Sequence, residues 1–297
     1  MAAGGRGMKR RLIGLAMILA VAGAPAAAQS RPQIALTFDD MPAHGPLPPG
    51  ETRLEIARRI VAALRTHRAP AHGFLNGGFG TEDPDSPRVL ALWRRAGLPI
   101  GNHTWSHPNL EASTVPDYLA EVDRNAPLLA NAVRWFRYPF LSEGADPAKR
   151  YAVRAGLRAR GYRVAAVTMS FGDYAWNDAY ARCAARGDDA AIVALERSFL
   201  DAARMQALRA RALSREALGR DIPYVLLMHL GAFDARMLSR LLTLYEALGF
   251  RFVTLAQAQA DPFYRAANDL TLPGPSPTLE GAARARGLAV PGADVCA

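Results

Sequence analysis

Short apolar runs alternating with longer amphipathic ones predict an α/β protein with parallel strands and crossover helices. Seven strand-sized runs carry this reading: residues 34–38, 72–75, 98–103, 135–140, 164–169, 224–229 and 250–255. Between them lie helix-sized stretches with apolar residues gathered on one stripe. Seven such units fit a barrel better than an open doubly wound sheet, and no glycine-rich dinucleotide loop follows the first run.

Taken in order, the first run, Ile34-Ala35-Leu36-Thr37-Phe38, ends in the carboxylate pair Asp39-Asp40. Asp40 then enters Met41-Pro42-Ala43-His44-Gly45-Pro46-Leu47-Pro48-Pro49, a proline-stiffened loop at the expected rim of the sheet. Residues 53–64 set Leu54, Ile56, Ile60, Val61 and Leu64 along one stripe, with Arg58 and Arg59 elsewhere. Stretches 87–96, 116–129, 147–160 and 235–248 read likewise, and Pro87, Pro116 and Pro147 stand at first-turn positions that favour proline. Residues 190–220 form a long alanine- and arginine-rich helical insertion, expected as a surface helix pair, with a lid or groove wall as the second reading. From Leu270 onward, Pro273, Pro275, Pro277 and scattered glycines indicate an irregular tail. There is no internal repeat.

The first 28 residues read as a leader rather than fold. Met8-Lys9-Arg10-Arg11 is a positive n-region, residues 12–21 are apolar, and Ala26-Ala27-Ala28 offers a small-residue cleavage site before Gln29. The apolar run is too short for a spanning helix, which needs ~20 residues, so export to the periplasm or the extracellular space is expected over an uncleaved anchor. The whole chain carries 36 basic and 27 acidic residues, a balance of +9; losing Arg6, Lys9, Arg10 and Arg11 with the leader leaves +5. That excess is spread as single arginines, a solvated face more than a binding patch. Basic and aromatic residues do not interleave, which argues against a nucleic-acid partner, and nothing implies a transmembrane partner. About 270 mature residues fit one large domain. Cys183 and Cys296 are the only cysteines, and an exported chain would be able to join them and pin the tail to the body.

The informative polar residues fall at the C-terminal ends of predicted strands, the rim on which βα loops converge. Each alone has an ordinary explanation: Asp39-Asp40 as a turn pair, His103 and His107 as an incidental spacing, His229 as a strand-end histidine with a satisfied hydrogen bond. His103 and His107, at i and i+4, share a face if Thr104-Trp105-Ser106 is helical or a turn. Together, two imidazoles and a carboxylate make the smallest common first shell for a hydrolytic metal, with positions left open for water and substrate. A second carboxylate beside the ligand is placed to act as a base. The pattern points to a metal-dependent hydrolase. His44 reads as a rim residue, and His67 and His72, flanking Pro70, read as structural.

At these residues the chain resembles the polysaccharide deacetylases, also called the NodB homology domain or carbohydrate esterase family 4. The matching motifs come in family order: Thr37-Phe38-Asp39-Asp40; His103-Thr104-Trp105-Ser106-His107 followed by Pro108-Asn109-Leu110; Arg137-Tyr138-Pro139-Phe140; Asp173-Tyr174-Ala175-Trp176; and Leu227-Met228-His229. The resemblance runs from Gln33 to Leu255 and implies a distorted (β/α)7 barrel, with a catalytic domain over residues 29–265 and a tail over 266–297. It implies that Asp40, His103 and His107 hold a divalent metal, zinc before cobalt, nickel or manganese. Asp39 would be the general base, and His229 the acid that protonates the leaving group. Arg137 would orient Asp39, and Asp173, in preference to Asp178, would support Arg137 or His229. A backbone N–H near Phe140 would help hold the oxyanion, and Leu227 with Trp176 would enclose the acetyl methyl group.

Two departures concern substrate more than chemistry. The first motif usually continues with glycine and proline, whereas Met41-Pro42-Ala43-His44 follows here; the third often has tyrosine where Phe140 stands. The expected activity is removal of N- or O-acetyl groups from a glycan, with peptidoglycan, chitin-like chains, exopolysaccharide and xylan all open. The alternatives are hydrolysis of another C–N or ester bond in a small non-glycan substrate, and a glycan-binding module without turnover. A mere binder would need neither Asp39, Arg137 nor His229.

Overall fold

The computed structural model describes residues 1–5, 31–129 and 134–288. The predicted leader therefore falls largely, and Cys296 wholly, outside the described residues. Residues 1–5 carry no helix or strand, and everything below concerns residues 31–288.

All the strand pairings are parallel. β1 (Gln33–Met41), β2 (Ala71–Leu75), β3 (Ile100–Asn102), β4 (Arg134–Phe136), β5 (Tyr162–Val164) and β6 (Tyr224–His229) lie in the order β5-β4-β3-β2-β1-β6, and β7 (Arg251–Phe252) pairs with the start of β1. The path of paired strands is open between β5 and β6. One bridge, Met169 to Leu226, joins the chain beyond β5 to β6 across that gap, so the sheet curls round as a distorted barrel does. β1 is its centre, paired with β2 on one side and β6 on the other. Eight of its nine residues are buried, which explains why its sequence is a continuous apolar run rather than an alternating one.

The helices cover the outside. α1 (Arg53–Thr66) starts where the Thr52 hydroxyl accepts the Glu55 N–H at 3.2 Å, and it buries the stripe Leu54, Ile56, Ile60, Val61 and Leu64. α2 (Ser86–Arg95), α3 (Val115–Asn125) and α4 (Pro147–Ala159) each carry proline in the first turn. α5 (Ala175–Arg186) ends at Gly187, whose φ of 65° no β-carbon opposes, and Asp188 then caps the next helix. That helix, α6 (Asp189–Leu218), is one continuous run of 30 residues. It packs on α5, on α7 (Ala232–Ala247) and on the helix Leu279–Ala285. Residues 190–220, expected as a helix pair, are therefore a single helix, because no glycine or proline interrupts the run before Gly219.

Two sequence expectations are adjusted. Residues 137–140 and 165–169 are not strand: β4 ends at Phe136 and β5 at Val164, so the Arg137-Tyr138-Pro139-Phe140 motif sits on the rim loop. Within the segment read as irregular tail, Leu279–Ala285 is helical, burying Leu279 and Ala283. The linking chain before it is tied down by Arg154 of α4. This fully buried guanidinium donates to the Leu272 carbonyl at 3.0 Å and to Glu143 at 3.1 Å, while Glu143 accepts the Ser276 N–H at 2.8 Å. No described helix is long and apolar enough to cross a membrane.

Candidate active site

Neighbouring side chains on a regular strand point to opposite faces, so Asp39 and Asp40 should not be able to serve one site. β1 solves this with an irregularity. Its register with β2 shifts between Phe38 and Met41, and Asp40 takes a φ of 59°. The bulge turns both carboxylates to the C-terminal rim of the sheet. A non-glycine residue at positive φ is strained, and three more follow nearby: Thr104 at 67°, His107 at 59° and Phe140 at 56°.

The segment from His103 to His107 is a loop with no helical turn in it, so the two rings do not meet by helix periodicity. They meet because the loop is tied on several sides. Asn102 Oδ1 accepts the Thr104 N–H at 2.9 Å, Asn76 Nδ2 donates to the Thr104 carbonyl at 3.2 Å, and Glu121 accepts the Ser106 N–H at 2.6 Å. The Arg124 guanidinium covers the Trp105 ring at 4.1 Å. The His103 and His107 rings end edge to face with centroids 4.9 Å apart.

Their Nε2 atoms lie 3.6 Å and 3.5 Å from the same oxygen, Asp40 Oδ1. That oxygen is buried and has no hydrogen-bond partner, a costly condition for a carboxylate unless something cationic is held there. Ligands about 2.0–2.2 Å from a tetrahedral ion stand roughly 3.3–3.5 Å apart, so the three atoms fit one divalent cation. The outer contacts agree. His103 Nδ1 donates to the Arg137 carbonyl at 2.7 Å, which leaves Nε2 as the lone-pair nitrogen. His44 Nδ1 holds the other oxygen, Asp40 Oδ2, at 2.9 Å. Burial, then the charge of His103, lowers the His107 pKa to about 4 against the pull of Asp40 and Asp39, so this ring is neutral and ready to bind metal. Burial would raise the Asp40 pKa, but the His44 hydrogen bond and the charges of His103, His229 and His107 outweigh it and hold the group well below its ordinary value.

Asp40, His44 and His229 form a second trio close enough to share an ion. The fit is poorer, because Asp40 Oδ2 is already bonded to His44 and His229 is held as a cation. Burial opposes charge on His229, yet the Asp173 carboxylate beside it pushes the pKa up to about 10. Asp173, fully buried, accepts the His229 Nδ1–H at 3.1 Å and the His229 backbone N–H at 2.7 Å. Asp178, in the first turn of α5, is exposed, so of the two acids only Asp173 reaches this histidine.

Asp39 is held differently. Arg137 Nη1 donates to both its oxygens at 3.2 Å. The buried guanidinium is itself fixed by Nε on the Ala165 carbonyl at 2.6 Å and by the Phe74 ring at 4.5 Å. Asp39 Oδ2 stands 3.7 Å from His103 Nε2, at the edge of the metal position. The two adjacent carboxylates therefore differ by surroundings: one faces the imidazoles, the other is clamped by arginine.

Aromatic rings border the site. Phe140, 64 % exposed, sits over His107 at 4.5 Å, and Phe79 lies on the same ring at 5.9 Å. On the acid side the His44 ring lies against His229 at 4.5 Å, tilted by 37°, and Tyr174 meets His229 edge-on at 5.4 Å. His44, read from sequence as a rim residue, is at the rim and also touches Asp40 and His229; Phe79 and Tyr174 carry no role in the sequence analysis, and the position of Tyr174 next to Asp173 was the available signal. Leu227 is nearly buried on β6, opposite Thr37. Trp176 is placed elsewhere than expected: its ring packs on Phe171 and Phe199 and its indole N–H donates to Ser198 at 2.9 Å, all within the α5–α6 layer. A cavity of about 660 Å³ lies between Leu141 on the rim loop, Arg150 of α4 and the tail residues Pro275 and Arg284; Arg137 is among its lining residues, but Asp39, Asp40, His103, His107 and His229 are not.

Comparison with known proteins follows the same lines. Residues 26–160 match the model of the family Polysaccharide deacetylase; this stretch holds Asp39, Asp40, His103, His107 and Arg137 and ends before Asp173 and His229. A peptidoglycan-N-acetylglucosamine deacetylase of Bacillus cereus is 31 % identical over 100 residues, covering 34 % of this chain and 32 % of that protein. A chitooligosaccharide deacetylase of Azorhizobium caulinodans is 37 % identical over 83 residues, covering 28 % and 33 % respectively. The chain thus matches about a third of the length of these curated relatives. Among solved structures, the chitin deacetylase of the fungal pathogen Colletotrichum lindemuthianum superposes with a TM-score of 0.54 at 19 % identity, covering 82 % of this chain and 93 % of that one. A family 4 carbohydrate esterase pseudoenzyme from Bacillus anthracis gives 0.55 at 15 % identity, covering 77 % and 66 %. These likenesses speak for the fold. The motif resemblance, the match of residues 26–160 to the family Polysaccharide deacetylase and the parallel α/β architecture all point the same way, and the chain is similar to the polysaccharide deacetylases over that stretch.

Proposed function

We propose that the chain is an exported, metal-dependent deacetylase that releases acetate from an N- or O-acetylated glycan. One observation carries the metal: the buried, unpartnered Asp40 Oδ1 aimed at two imidazole nitrogens. When bound, a divalent cation would polarise the acetyl oxygen and lower the pKa of water toward ~7. Asp40, His103 and His107 are its ligands. Asp39, aimed by Arg137, takes the proton from the attacking water. His229, kept cationic by Asp173, gives its proton to the departing nitrogen or oxygen. The Phe140 backbone N–H stabilises the oxyanion, and Leu227 closes the floor under the acetyl methyl. Phe140 and Tyr174 offer exposed faces on which sugar rings can stack.

The pseudoenzyme among the structural neighbours means that fold alone does not give turnover. Retention here of a base, an acid and the arginine that orients the base supports a working enzyme over a binding module. The test is an acetate-release screen of the metal-loaded mature chain on chitooligosaccharides, peptidoglycan, acetylated xylan and small amides. Acetate from a glycan, abolished by a chelator and restored by zinc or another divalent ion, is the expected result. Hydrolysis of a small amide alone, or release that survives chelation, would overturn it.

A further inference from the structure

Behind His229 lies a second carboxyl group that the roles above leave unused. Asp234, in the first turn of α7, is fully buried, as are Asp173 and Asn177. Its Oδ2 accepts Asn177 Nδ2 at 3.0 Å, and Asn177 Oδ1 accepts the Phe233 N–H at 2.9 Å. The amide is packed in place: a β-carbon added to Gly231 would come within 2.2 Å of Asn177 Nδ2. Asp234 Oδ1, however, has nothing donating to it, and the charge of the equally buried Asp173 acts on this side chain.

Two carboxylates this close in a dry interior cannot both be ionised. Asp173 must be the anion, because both its oxygens accept from the His229 ring and one also accepts the His229 backbone N–H. The unpartnered oxygen of Asp234 is then no longer an orphan acceptor; as a hydroxyl it becomes a donor, and the Asp173 carboxylate is the anion that acts on it.

We propose that Asp234 is a neutral carboxylic acid whose Oδ1–H donates to Asp173, fixing the carboxylate that in turn holds and charges His229. Asp234 is thus a positioning residue for the acid, and this role rests on the reading of His229 given above. Burial first, then the charge of Asp173, pushes the Asp234 carboxyl well above the ordinary range, against the opposing charge of His229. The groups facing the pair come from four places: Asp173 before α5, Asn177 on α5, His229 on β6, and Tyr245 further along α7. Burial and then Asp173 raise the phenol of Tyr245, so it stays neutral.

The full-length chain tests this in two independent ways. Infrared spectroscopy at neutral pH should show a protonated-carboxyl C=O band that disappears in Asp234→Asn; this readout stands whether or not the chain is a deacetylase. In acetate release, Asp234→Leu should lower kcat by about 100-fold with KM little changed, the scale of loss from misplacing a catalytic group by roughly 1 Å. Asp234→Asn should recover most of that loss, since its carbonyl can accept from Asn177 and its amide can donate to Asp173. Absence of the band would overturn the proposal. So would an Asn variant as slow as the Leu variant, a Leu variant with unchanged kcat, or an Asn variant whose alkaline limb falls by a full pH unit, which would mean that a negative charge had been removed. The two Asn readouts decide the matter even if Asp234→Leu does not fold.

Discussion

Asp39 and Asp40 are chemically identical neighbours, and what separates them is who holds each one. Asp39 is clamped by a buried arginine, whereas Asp40 offers a bare oxygen to two imidazoles. Asp39→Asn should therefore lower turnover by about 10²–10⁴-fold, the range for a lost general base, while bound metal measured by atomic absorption stays near one per chain. Loss of metal in that variant would remove the division of roles. His107→Ala takes away a ligand and should lose both metal and activity; a stoichiometric ion in that variant would exclude His107 from the set. The His229 pair gives a pH test. Its pKa is raised above the ordinary 6.5 to about 10, so its stabilising effect is full below 6.5 and is lost as pH rises toward 10. A cation in the Asp40 site opposes this charge, so the alkaline limb of kcat should fall below 10, and in Asp173→Asn lower still. An alkaline limb that Asp173→Asn leaves in place would detach Asp173 from His229. Much of this site was legible, because its residues stand in short motifs at strand ends. What was not legible depends on pairs that only folding brings together. His44 reaches back to Asp40 around a proline loop, Trp176 turns into a helix layer instead of the cleft, and Asp234 carries no motif at all.

The elements were legible in kind and imprecise at their ends. Apolar stripes and first-turn prolines located α1 to α4 to within a few residues, since helix burial follows a period that sequence displays directly. Strand ends were overestimated where an apolar run continues past the sheet. Residues 137–140 look extended, but the Arg137 side chain folds inward to Asp39 and the chain leaves the ladder after Phe136. The last helix was missed because the prolines before it mark only where the linking chain cannot be regular, and the anchor of that chain is a buried arginine on another element. Arg154 bonds to Glu143 and to the Leu272 carbonyl. Arg154→Ala would leave the Glu143 carboxylate buried with one partner fewer and release the tail segment. Removing one member of a buried ion pair costs about 3–5 kcal/mol, and urea denaturation should show a loss of that order. A loss below ~1 kcal/mol would mean that the tail holds without this anchor.

Across the whole molecule, the ligands of the proposed ion come from β1 and from the loop after β3, while the base is aimed from the loop after β4 and the acid sits at the end of β6. An ion at that point ties the centre of the sheet to its neighbours, and the unfolded chain has no such site. Metal binding therefore adds to folding stability through the native state alone. At 100 times the dissociation constant the gain is about 2.7 kcal/mol. At roughly 2 °C per kcal/mol for a chain of this size, zinc should raise the Tm of the chelated protein by about 5 °C. His107→Ala, folded but short of a ligand, should show almost none of that shift, whereas Asp39→Asn should show nearly all of it. Net charge gives the control. A chain with a balance of +9 gains nothing in general from added cations, so magnesium at the same ionic strength should leave Tm unchanged if the effect belongs to the imidazole site. An equal shift with magnesium, or one that persists in His107→Ala, would place the stabilising ion somewhere other than between Asp40, His103 and His107.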